Sequence, residues 1–451
     1  MSLRLNVPFF SFFLKNFNPN STIFKIIKVF FIAILLSNSI YLSFFDNIVF
    51  ETLSPFLAIW GLVLLLRTRN AKEYFWIGFF LGIFWFWWVS LSSIYFNLDY
   101  LIPFIILFIA LVYGILFRIC YLFKFDFLRL CAIFCLSFIH PLGFDWLNWG
   151  IFSVYGFFDA NTTGVVCIFL IAYFYYEKYI SRYYKMAIII ILFFIGFHYE
   201  QKESTNLNLN FTLLNTNISQ NQKYLVENIQ VHSNELIKEI LNAINEKKEL
   251  IVLPESAFAF DLQKDFKEKY QNILKQLSYK ITIITGAFST AENQIYNSTY
   301  VFNQGQVSIL NKHFLVPFGE EIPFFKNLVK KYFLPHMQEF SQGPVQSKYE
   351  LNQQIITNAI CYEATKERIY EDSKLIIAIS NNAWFNHSSE YKLQQLLMKF
   401  YANKYGVSVY HAVNGKENAV IKPKIPLYEK WKMKFEKLYQ KMRMILKIGI
   451  E

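Results

Sequence analysis

Cysteine is rare in the second half of this chain. Of the five cysteines, Cys120, Cys131, Cys135 and Cys167 lie in or near apolar runs, where a thiol behaves as a small hydrophobic group. Cys361 is the only cysteine in the later, more polar half. A lone cysteine excludes a disulfide within that half, so a free thiol there needs another explanation.

The chain also lacks the pattern of a nucleic-acid-binding protein. Its formal net charge is +11, but no basic patch is interleaved with stacking aromatics in a polar context. The basic residues stand beside apolar runs, where they set the orientation of membrane spans. The 7 histidines are scattered, which does not favour a metal site. We therefore expect no nucleic-acid partner and no bound metal.

Apolar residues are abundant and unevenly placed. Hydrophobic residues make up 54% of the chain, and they crowd into positions 1–200, which predicts a membrane domain ahead of a water-soluble one. A span needs about 20 apolar residues. Asn38 interrupts the first run, and Glu51 and Pro55 interrupt the second. The runs nevertheless predict about seven spans: Val29–Phe45, Ile48–Leu66, Phe75–Phe96, Leu101–Phe123, Phe127–Leu142, Gly164–Tyr176 and Ala187–Phe197.

Lysine and arginine are missing from every second connection between these runs. None occurs near Asp46, in the Asn97–Asp99 turn or between His140 and Thr163. The positive-inside rule then places the N-terminus in the cytoplasm and the second half outside it. The cytoplasmic connections would carry Arg4, Lys15, Lys25, Lys28, Arg67, Arg69, Lys72, Arg118, Lys124, Arg129, Lys178, Arg182 and Lys185. A cleaved signal peptide is the competing interpretation of the first run, but no good small-x-small site follows it, which favours a retained anchor.

Residues 205–420 alternate between short β runs and amphipathic helical stretches. This pattern predicts an α/β sandwich whose sheets are buried between helices. A turn at residues 303–305 predicts a hairpin. The predicted strands are Phe211–Asn215, Leu250–Leu253, Ile281–Gly286, Tyr296–Phe302, Gln306–Asn311, Ile355–Cys361 and Leu375–Ser380, with helices at Tyr224–Lys247 and Leu262–Leu277.

Three predicted strands end near residues that can carry chemistry, namely Glu255, Lys312 and Cys361. In α/β folds, groups at the carboxyl ends of strands converge on one crevice. A carboxylate whose pKa is raised by burial can act as the base that a thiol needs. An ammonium can stabilise a thiolate and an oxyanion. Each residue alone would be unremarkable, whereas the three together form an acyl-transfer set.

The amino-acid sequences of these motifs resemble those of one family. Lys312-His-Phe-Leu-Val-Pro-Phe-Gly-Glu320, Ile-Cys361-Tyr-Glu363 and Ser-Asn-Asn-Ala-Trp384-Phe look like the apolipoprotein N-acyltransferases. These belong to the nitrilase superfamily, whose members use a Glu–Lys–Cys triad on an αββα sandwich. Gly78–Ser93 and Trp146-Leu-Asn-Trp-Gly150 in the membrane half also resemble the family.

The resemblance implies roles residue by residue. Glu255 would be the general base, Lys312 the oxyanion-stabilising lysine and Cys361 the nucleophile. The supporting positions would be the acidic Glu320 and Glu363, the backbone N–H of Tyr362, Trp384 beside the lipid entrance, and Gln220 and Tyr224, where the family usually has Gln and Trp.

The resemblance also implies a reaction and its partners. An acyl chain would pass from a membrane phospholipid, through a cysteine thioester, to the α-amine of a diacylglyceryl-cysteine apolipoprotein, without a cofactor. The protein would lie in the inner membrane, with its catalytic domain on the periplasmic side. Two alternatives stay open: a membrane-anchored amidase acting on small substrates, and a catalytically inactive scaffold.

The sequence departs from the family pattern in two places. Asn382 and Asn386 replace an Asp and a Gly in the loop around Trp384. Residues 421–451 form a basic tail where the family continues into a last transmembrane helix. In this tail Trp431, Phe435, Leu438, Met442 and Ile445 share one helical face, which predicts either an interfacial helix or a loosely packed segment.

Overall fold

The first part of the chain folds into a helical bundle. The computed structural model describes residues 21–264, 268–334, 337 and 339–448. The bundle helices are α1 (Thr22–Leu42), α2 (Ile48–Arg67), α3 (Ala71–Phe86), α4 (Ile102–Tyr121), α5 (Asp126–Cys135), α6 (Ile151–Val154), α7 (Thr162–Tyr176) and α8 (Arg182–Gly196). A 3₁₀ segment, Trp87–Phe96, continues α3.

Four helical segments of the described residues are long and apolar enough to cross a membrane. They are Thr22–Phe45, Ile48–Arg67, Ala71–Phe96 and Asp99–Tyr121. The helices α5, α7 and α8 have 10, 15 and 15 residues, fewer than the roughly 17 that a span requires. Seven spans therefore stay a prediction, and Arg4 and Lys15 of the orientation argument lie outside the described residues.

The polar residues that interrupt the first two runs are accommodated between helices. Asn38 is buried on α1, donates a hydrogen bond to the carbonyl of Leu35 and accepts one of 2.8 Å from Ser54 of α2. Because Asn38 and Ser54 find partners inside the bundle, burial does not leave them unsatisfied. Pro55 lies inside α2, which continues to Arg67.

Two five-stranded mixed sheets form the second domain. The first has the strand order β1-β2-β3-β4-β5 and the second β10-β9-β8-β7-β6. The strands are β1 (Phe211–Leu213), β2 (Leu250–Val252), β3 (Thr282–Ala291), β4 (Gln294–Asn303), β5 (Gln306–Asn311), β6 (Lys348–Leu351), β7 (Gln354–Ile360), β8 (Leu375–Asn381), β9 (Ser408–Asn414) and β10 (Ala419–Ile421). The helices are α9 (Gln220–Lys223), α10 (Val226–Asn245), α11 (Glu268–Leu277), α12 (Lys326–Tyr332), α13 (Glu367–Tyr370), α14 (Glu390–Tyr405) and α15 (Leu427–Ile448).

Side chains that point alternately to the two faces of a strand explain how the sheets and helices form layers. On β8, Leu375, Ile377 and Ile379 join the core between the two sheets. Ile376 and Ala378 point to the opposite face and join the core shared by α14 and the membrane bundle. Since successive side chains of a strand point to opposite faces, the second sheet is buried on both sides. On the first sheet, Leu236 and Leu274 of α10 and α11 cover the outer face.

The predicted fold class, a membrane bundle followed by an αββα domain, is confirmed. The hairpin is also confirmed, because β4 and β5 pair antiparallel with Asn303 opposite Gln306. The sequence analysis missed β6, β9 and β10. The C-terminal tail forms the helix α15, which contacts α2 through a 2.8 Å ion pair between Lys430 and Glu51.

Candidate active site

Lys312 is the buried cation at the centre of the site. It follows β5, and its backbone N–H donates to the carbonyl of Asn297 on β4. Its side chain is fully buried, with Nζ 2.7 Å from Oε2 of Glu320 and 3.7 Å from Oε1 of Glu255. Burial by itself would lower the pKa of Lys312, but the charges of Glu320 and Glu255 outweigh burial and raise that pKa. The side chain is therefore a permanent ammonium held between two carboxylates.

Glu255 is fixed by donors from both sheets. It follows β2, and its Oε1 accepts a 2.7 Å hydrogen bond from Nδ2 of Asn297. Its Oε2 accepts a 2.8 Å hydrogen bond from the backbone N–H of Asn381, which ends β8 in the other sheet. Gly286 on β3 allows the close approach, because a Cβ there would lie 2.4 Å from the backbone nitrogen of Ser256.

Cys361 stands directly after β7 with a left-handed backbone, φ = +53°. Such a conformation is costly for a residue with a Cβ and is often retained where geometry serves function. Burial, together with the charge of Glu255, raises the pKa of the Cys361 thiol well above its usual value, while Lys312 opposes this rise. The resting side chain is a thiol, so it needs a base when it reacts.

Glu363 connects the cysteine turn to the lysine segment. Its Oε1 accepts backbone hydrogen bonds of 2.7 Å from His313 and 3.2 Å from Phe314. Its Oε2 accepts a 2.9 Å hydrogen bond from the backbone of Ile360. This carboxylate therefore holds the residue after Lys312 and the residue before Cys361 in one arrangement.

Tyr362 connects the same turn to the membrane bundle. Its hydroxyl donates a 2.7 Å hydrogen bond to Asp145, in the loop before α6. Its ring lies parallel to that of Phe144, with the centroids 5.9 Å apart, and Lys366 Nζ lies 3.8 Å from its centroid. The cysteine turn is thus attached to a loop of the first domain.

The remaining sequence-predicted residues surround this centre. Trp384 packs edge-on against Tyr95, with the ring centroids 5.0 Å apart. The Tyr95 hydroxyl also donates a hydrogen bond to the backbone carbonyl of Ala383, the residue before Trp384. Gln220 is buried and accepts a 2.8 Å hydrogen bond from Nδ2 of Asn381. Tyr224 stacks on Phe288 with its ring partly exposed. Burial raises the pKa of its hydroxyl to about 12, with a further contribution from Glu255.

Comparison with known proteins decides the family. Residues 23–197 match the family model of the apolipoprotein N-acyltransferase integral membrane domain. The chain is 70% identical to the apolipoprotein N-acyltransferase of Campylobacter jejuni subsp. jejuni serotype O:2, over 96% of this chain and 98% of that protein. This chain belongs to the apolipoprotein N-acyltransferase family.

A more distant relative and a solved structure also match. The apolipoprotein N-acyltransferase of Helicobacter pylori is 34% identical over 83% of this chain and 88% of its own length. The solved structure of a Saccharomyces cerevisiae member of branch 10 of the nitrilase superfamily covers 50% of this chain and 84% of that chain, at 16% identity and a TM-score of 0.36.

Three further residues of this N-acyltransferase contact the site and were missed from the sequence. Asn297 donates to both Glu255 and Glu320, at 2.7 and 2.8 Å. Asn381 binds Glu255 through its backbone, as described above. Lys223 is buried, and its Nζ donates a 2.9 Å hydrogen bond to the carbonyl of Glu255. Asn is unfavourable in a strand, but β4 also contains Gln294, Ser298 and Thr299, so Asn297 carried little signal in the sequence.

Proposed function

We propose that this member of the apolipoprotein N-acyltransferase family moves an acyl chain from a membrane phospholipid to the α-amine of a diacylglyceryl-cysteine apolipoprotein. The transfer passes through a thioester on Cys361. The observation that carries the proposal is the buried Lys312 ammonium between Glu255 and Glu320, whose charges act on the Cys361 thiol.

The first half-reaction forms the thioester. Glu255 takes the proton of Cys361, and the thiolate attacks an ester carbonyl of the phospholipid. The ammonium of Lys312 and the backbone N–H of Tyr362 stabilise the oxyanion. When the intermediate collapses, Glu255 returns the proton to the departing hydroxyl of the lysophospholipid. The Glu255 carboxylate is then free for the second half.

The second half-reaction consumes the thioester. The α-amine of the acceptor attacks the thioester carbonyl, and the thiolate of Cys361 leaves and recovers a proton through Glu255. Apolar surroundings limit hydrolysis by keeping water away from the thioester. Donor and acceptor would both arrive by lateral diffusion in the bilayer.

An apolar cavity supports this lateral route. It has a volume of about 100 Å³ and lies between the bundle and the loop that joins Lys312 to Glu320. Tyr113 and Phe144 line it from the bundle, and Pro317 and Phe318 line it from the loop. It adjoins Phe108 of α4, which is 51% exposed on the surface that faces lipid. In this proposal a segment of acyl chain enters the cavity, which borders the loop between Lys312 and Glu320.

The alternation of basic residues supports a defined orientation. The connections rich in Lys and Arg would lie in the cytoplasm and the catalytic domain in the periplasm, with the bundle in the inner membrane.

Detection of the thioester tests the proposal. Purified protein in detergent micelles would be incubated with phospholipid carrying a labelled acyl chain, and the Cys361 peptide would be analysed by mass spectrometry. We expect the peptide to carry the acyl chain and to lose it when a diacylglyceryl-cysteinyl peptide is added. Cys361→Ala protein should form no adduct. Hydrolysis of short amides without any phospholipid requirement would favour an amidase, and no adduct in the wild type would favour a scaffold.

A further inference from the structure

Transfer of the acyl chain from the Cys361 thioester to an ammonium group releases one proton more than the Cys361 thiolate takes up. This consideration rests on the proposed function. The acceptor amine has a pKa of about 7.7–8.0 in ordinary peptides, so near pH 7 it carries three protons. The amide product keeps one, and one returns through Glu255 to the sulfur of Cys361. The remaining proton must leave the nitrogen before the nitrogen attacks, and it needs a different acceptor.

Glu390 has the properties of such an acceptor. It is the first residue of α14, which packs on the Cys361–Thr365 turn. It is 2% exposed, and its Oε2 has no hydrogen-bond partner among the residues that the structure describes. No ion pair joins it to a described cation within 4.0 Å. A buried carboxylate oxygen without a partner is uncommon and costly, which indicates a missing ligand.

Two unpartnered amide atoms lie in the same cluster. Gln394 follows Glu390 by one helical turn on the same face of α14, and its Oε1 accepts a 3.0 Å hydrogen bond from Nδ2 of Asn382. Nε2 of Gln394 and Oδ1 of Asn382 have no partner among the described residues. Asn382 follows Asn381, whose backbone N–H holds Glu255. The cluster is therefore connected to the catalytic base by adjacent residues.

The pKa shifts of Glu390 and Cys361 also indicate that Glu390 lies near the nucleophile. Burial raises the pKa of Glu390 to about 8, with Lys416 opposing the rise and Glu255 adding to it. The negative charge of Glu390 also raises the pKa of the Cys361 thiol. Glu390 is therefore close enough to the nucleophile for its charge to be felt there. At pH 7 this pKa leaves most of the resting Glu390 protonated, but the positive charge of a bound ammonium lowers the pKa and favours the carboxylate. A proton can then pass from the ammonium to Glu390 with little cost.

We propose that Glu390, with Oδ1 of Asn382, forms the binding site for the primary ammonium of the acceptor, and that Glu390 takes one proton from it. The neutral amine then attacks the thioester carbonyl, its second proton passes through Glu255 to the Cys361 thiolate, and Glu390 later releases its proton to solvent. Glu390 has no step in thioester formation. Its loss should affect the second half-reaction alone.

If Glu390 had only a structural role, a different result would be expected. A glutamate in the first turn of a helix is stabilised by the helix dipole, and a residue with only that function would affect folding and both half-reactions alike. The test must therefore separate the two halves. Hydroxylamine provides the separation, because it is a small nucleophile that is already neutral at pH 7 and needs no base to deprotonate it.

The experiment compares wild-type, Glu390→Gln and Glu390→Asp proteins in detergent micelles. Labelled phospholipid first loads Cys361, and the acyl-enzyme is then offered a diacylglyceryl-cysteinyl peptide or hydroxylamine. We expect Glu390→Gln to load within about twofold of the wild-type rate and to react normally with hydroxylamine. Transfer to the peptide should be about 100-fold slower at pH 7, and the deficit should shrink as the pH rises above the pKa of the amine. Glu390→Asp should recover part of the rate.

Three outcomes would overturn the inference or its basis. If the Glu390→Gln protein transfers the acyl chain to the peptide at the wild-type rate at pH 7, the inference is wrong. It is also wrong if loading, hydroxylamine reaction and transfer are lost equally, accompanied by a lower Tm. Failure of the wild type itself to load would instead remove the proposed function on which the inference rests. Glu350→Gln, at an exposed position on β6, is the matched control and should behave as wild type in every step.

Discussion

Asn297 donates from one side-chain nitrogen to two carboxylates, at 2.7 Å to Oε1 of Glu255 and 2.8 Å to Oε1 of Glu320. Its backbone carbonyl accepts the N–H of Lys312. One residue of β4 thus fixes the spacing of Glu255, Lys312 and Glu320. This bridge and the Lys312 ammonium together offset the repulsion between the two neighbouring carboxylates.

Replacement of Asn297 by Ala should therefore slow thioester formation. A hydrogen bond to a charged group contributes about 1.5–3 kcal/mol, which corresponds to roughly 10- to 150-fold in rate. Asn297→Asp should be slower still, since it adds a third negative charge and removes the donor. The measurement is single-turnover loading of Cys361 from labelled phospholipid. Asn242→Ala, at an exposed position on α10, is the control, and equal loading by Asn297→Ala and this control would contradict the role.

Gly286→Ala should disturb the base through a steric clash. The new Cβ would lie 2.4 Å from the backbone nitrogen of Ser256 and 2.6 Å from Cα of Glu255, so the Glu255 segment must move. Such overpacking costs about 1–3 kcal/mol. We expect a lower Tm and at least a tenfold slower loading of Cys361, measured on the folded fraction. A variant with unchanged loading would show that the Glu255 segment tolerates the displacement.

The buried Lys223 should make stability depend on pH in the alkaline range. Burial lowers its pKa from 10.5 to about 8, although Glu255 and Cys361 oppose the change. Between these values the unfolded chain binds more protons than the folded one, so stability rises with pH from about 8 to 10.5, by roughly 3 kcal/mol in total. Below about pH 8 the folded protein bears the full free-energy cost of burying the protonated Lys223.

Thermal unfolding in detergent checks this dependence. Wild-type protein should gain Tm relative to Lys223→Met as the pH is raised from about 8 to about 10. The exposed Lys238→Met on α10 should follow the wild type at every pH. A constant difference in Tm between wild type and Lys223→Met would mean that Lys223 does not change its charge in this range.

Trp384 should affect the lipid substrate more than the chemistry. Its ring packs against Tyr95 and Phe96 at the end of the membrane segment, and each aromatic contact contributes about 0.5–1.5 kcal/mol. We expect Trp384→Ala to raise KM for phospholipid by about tenfold and to leave loading from a short, water-soluble ester unchanged. Trp384→Phe should restore most of the affinity. Slower loading from the soluble ester would instead place Trp384 at the reacting atoms.

The helix α15 should lie on the membrane surface. It is held to α2 by the Lys430–Glu51 ion pair and by a 3.2 Å hydrogen bond from Trp431 to Thr52. Beyond these contacts Phe435, Leu438 and Met442 share one face and are 60%, 53% and 48% exposed. In liposomes, trypsin should cut at Lys434 and Lys437 more slowly than in a variant with Ser at those three positions. Equal cleavage would indicate that no lipid covers this face.

Much of the molecule could be predicted because its signals are local. Apolar length marks the membrane domain, and two-residue alternation marks most strands of the sheets. The termini of those strands predict that Glu255, Lys312 and Cys361 lie close together. Of the strands that were missed, β6 and β10 are short and lie at sheet edges, where only one neighbour restricts their composition. In contrast, β9 has 7 residues and lies inside the second sheet.

Other features depend on contacts between distant residues. Asn381 meets Glu255 across 126 residues of sequence, and Tyr362 meets Asp145 across 217. Asn297 looks like any polar strand residue until the hairpin places its amide between two carboxylates. The sequence by itself determined the membrane half, the α/β class and the candidate reacting groups, because periodicity and motifs are properties of neighbouring residues. Only the tertiary structure decided which groups hold Glu255 and Lys312, and which left Oε2 of Glu390 without a partner among the described residues. The reason is that a hydrogen bond acts over about 3 Å in space, whatever the distance along the chain.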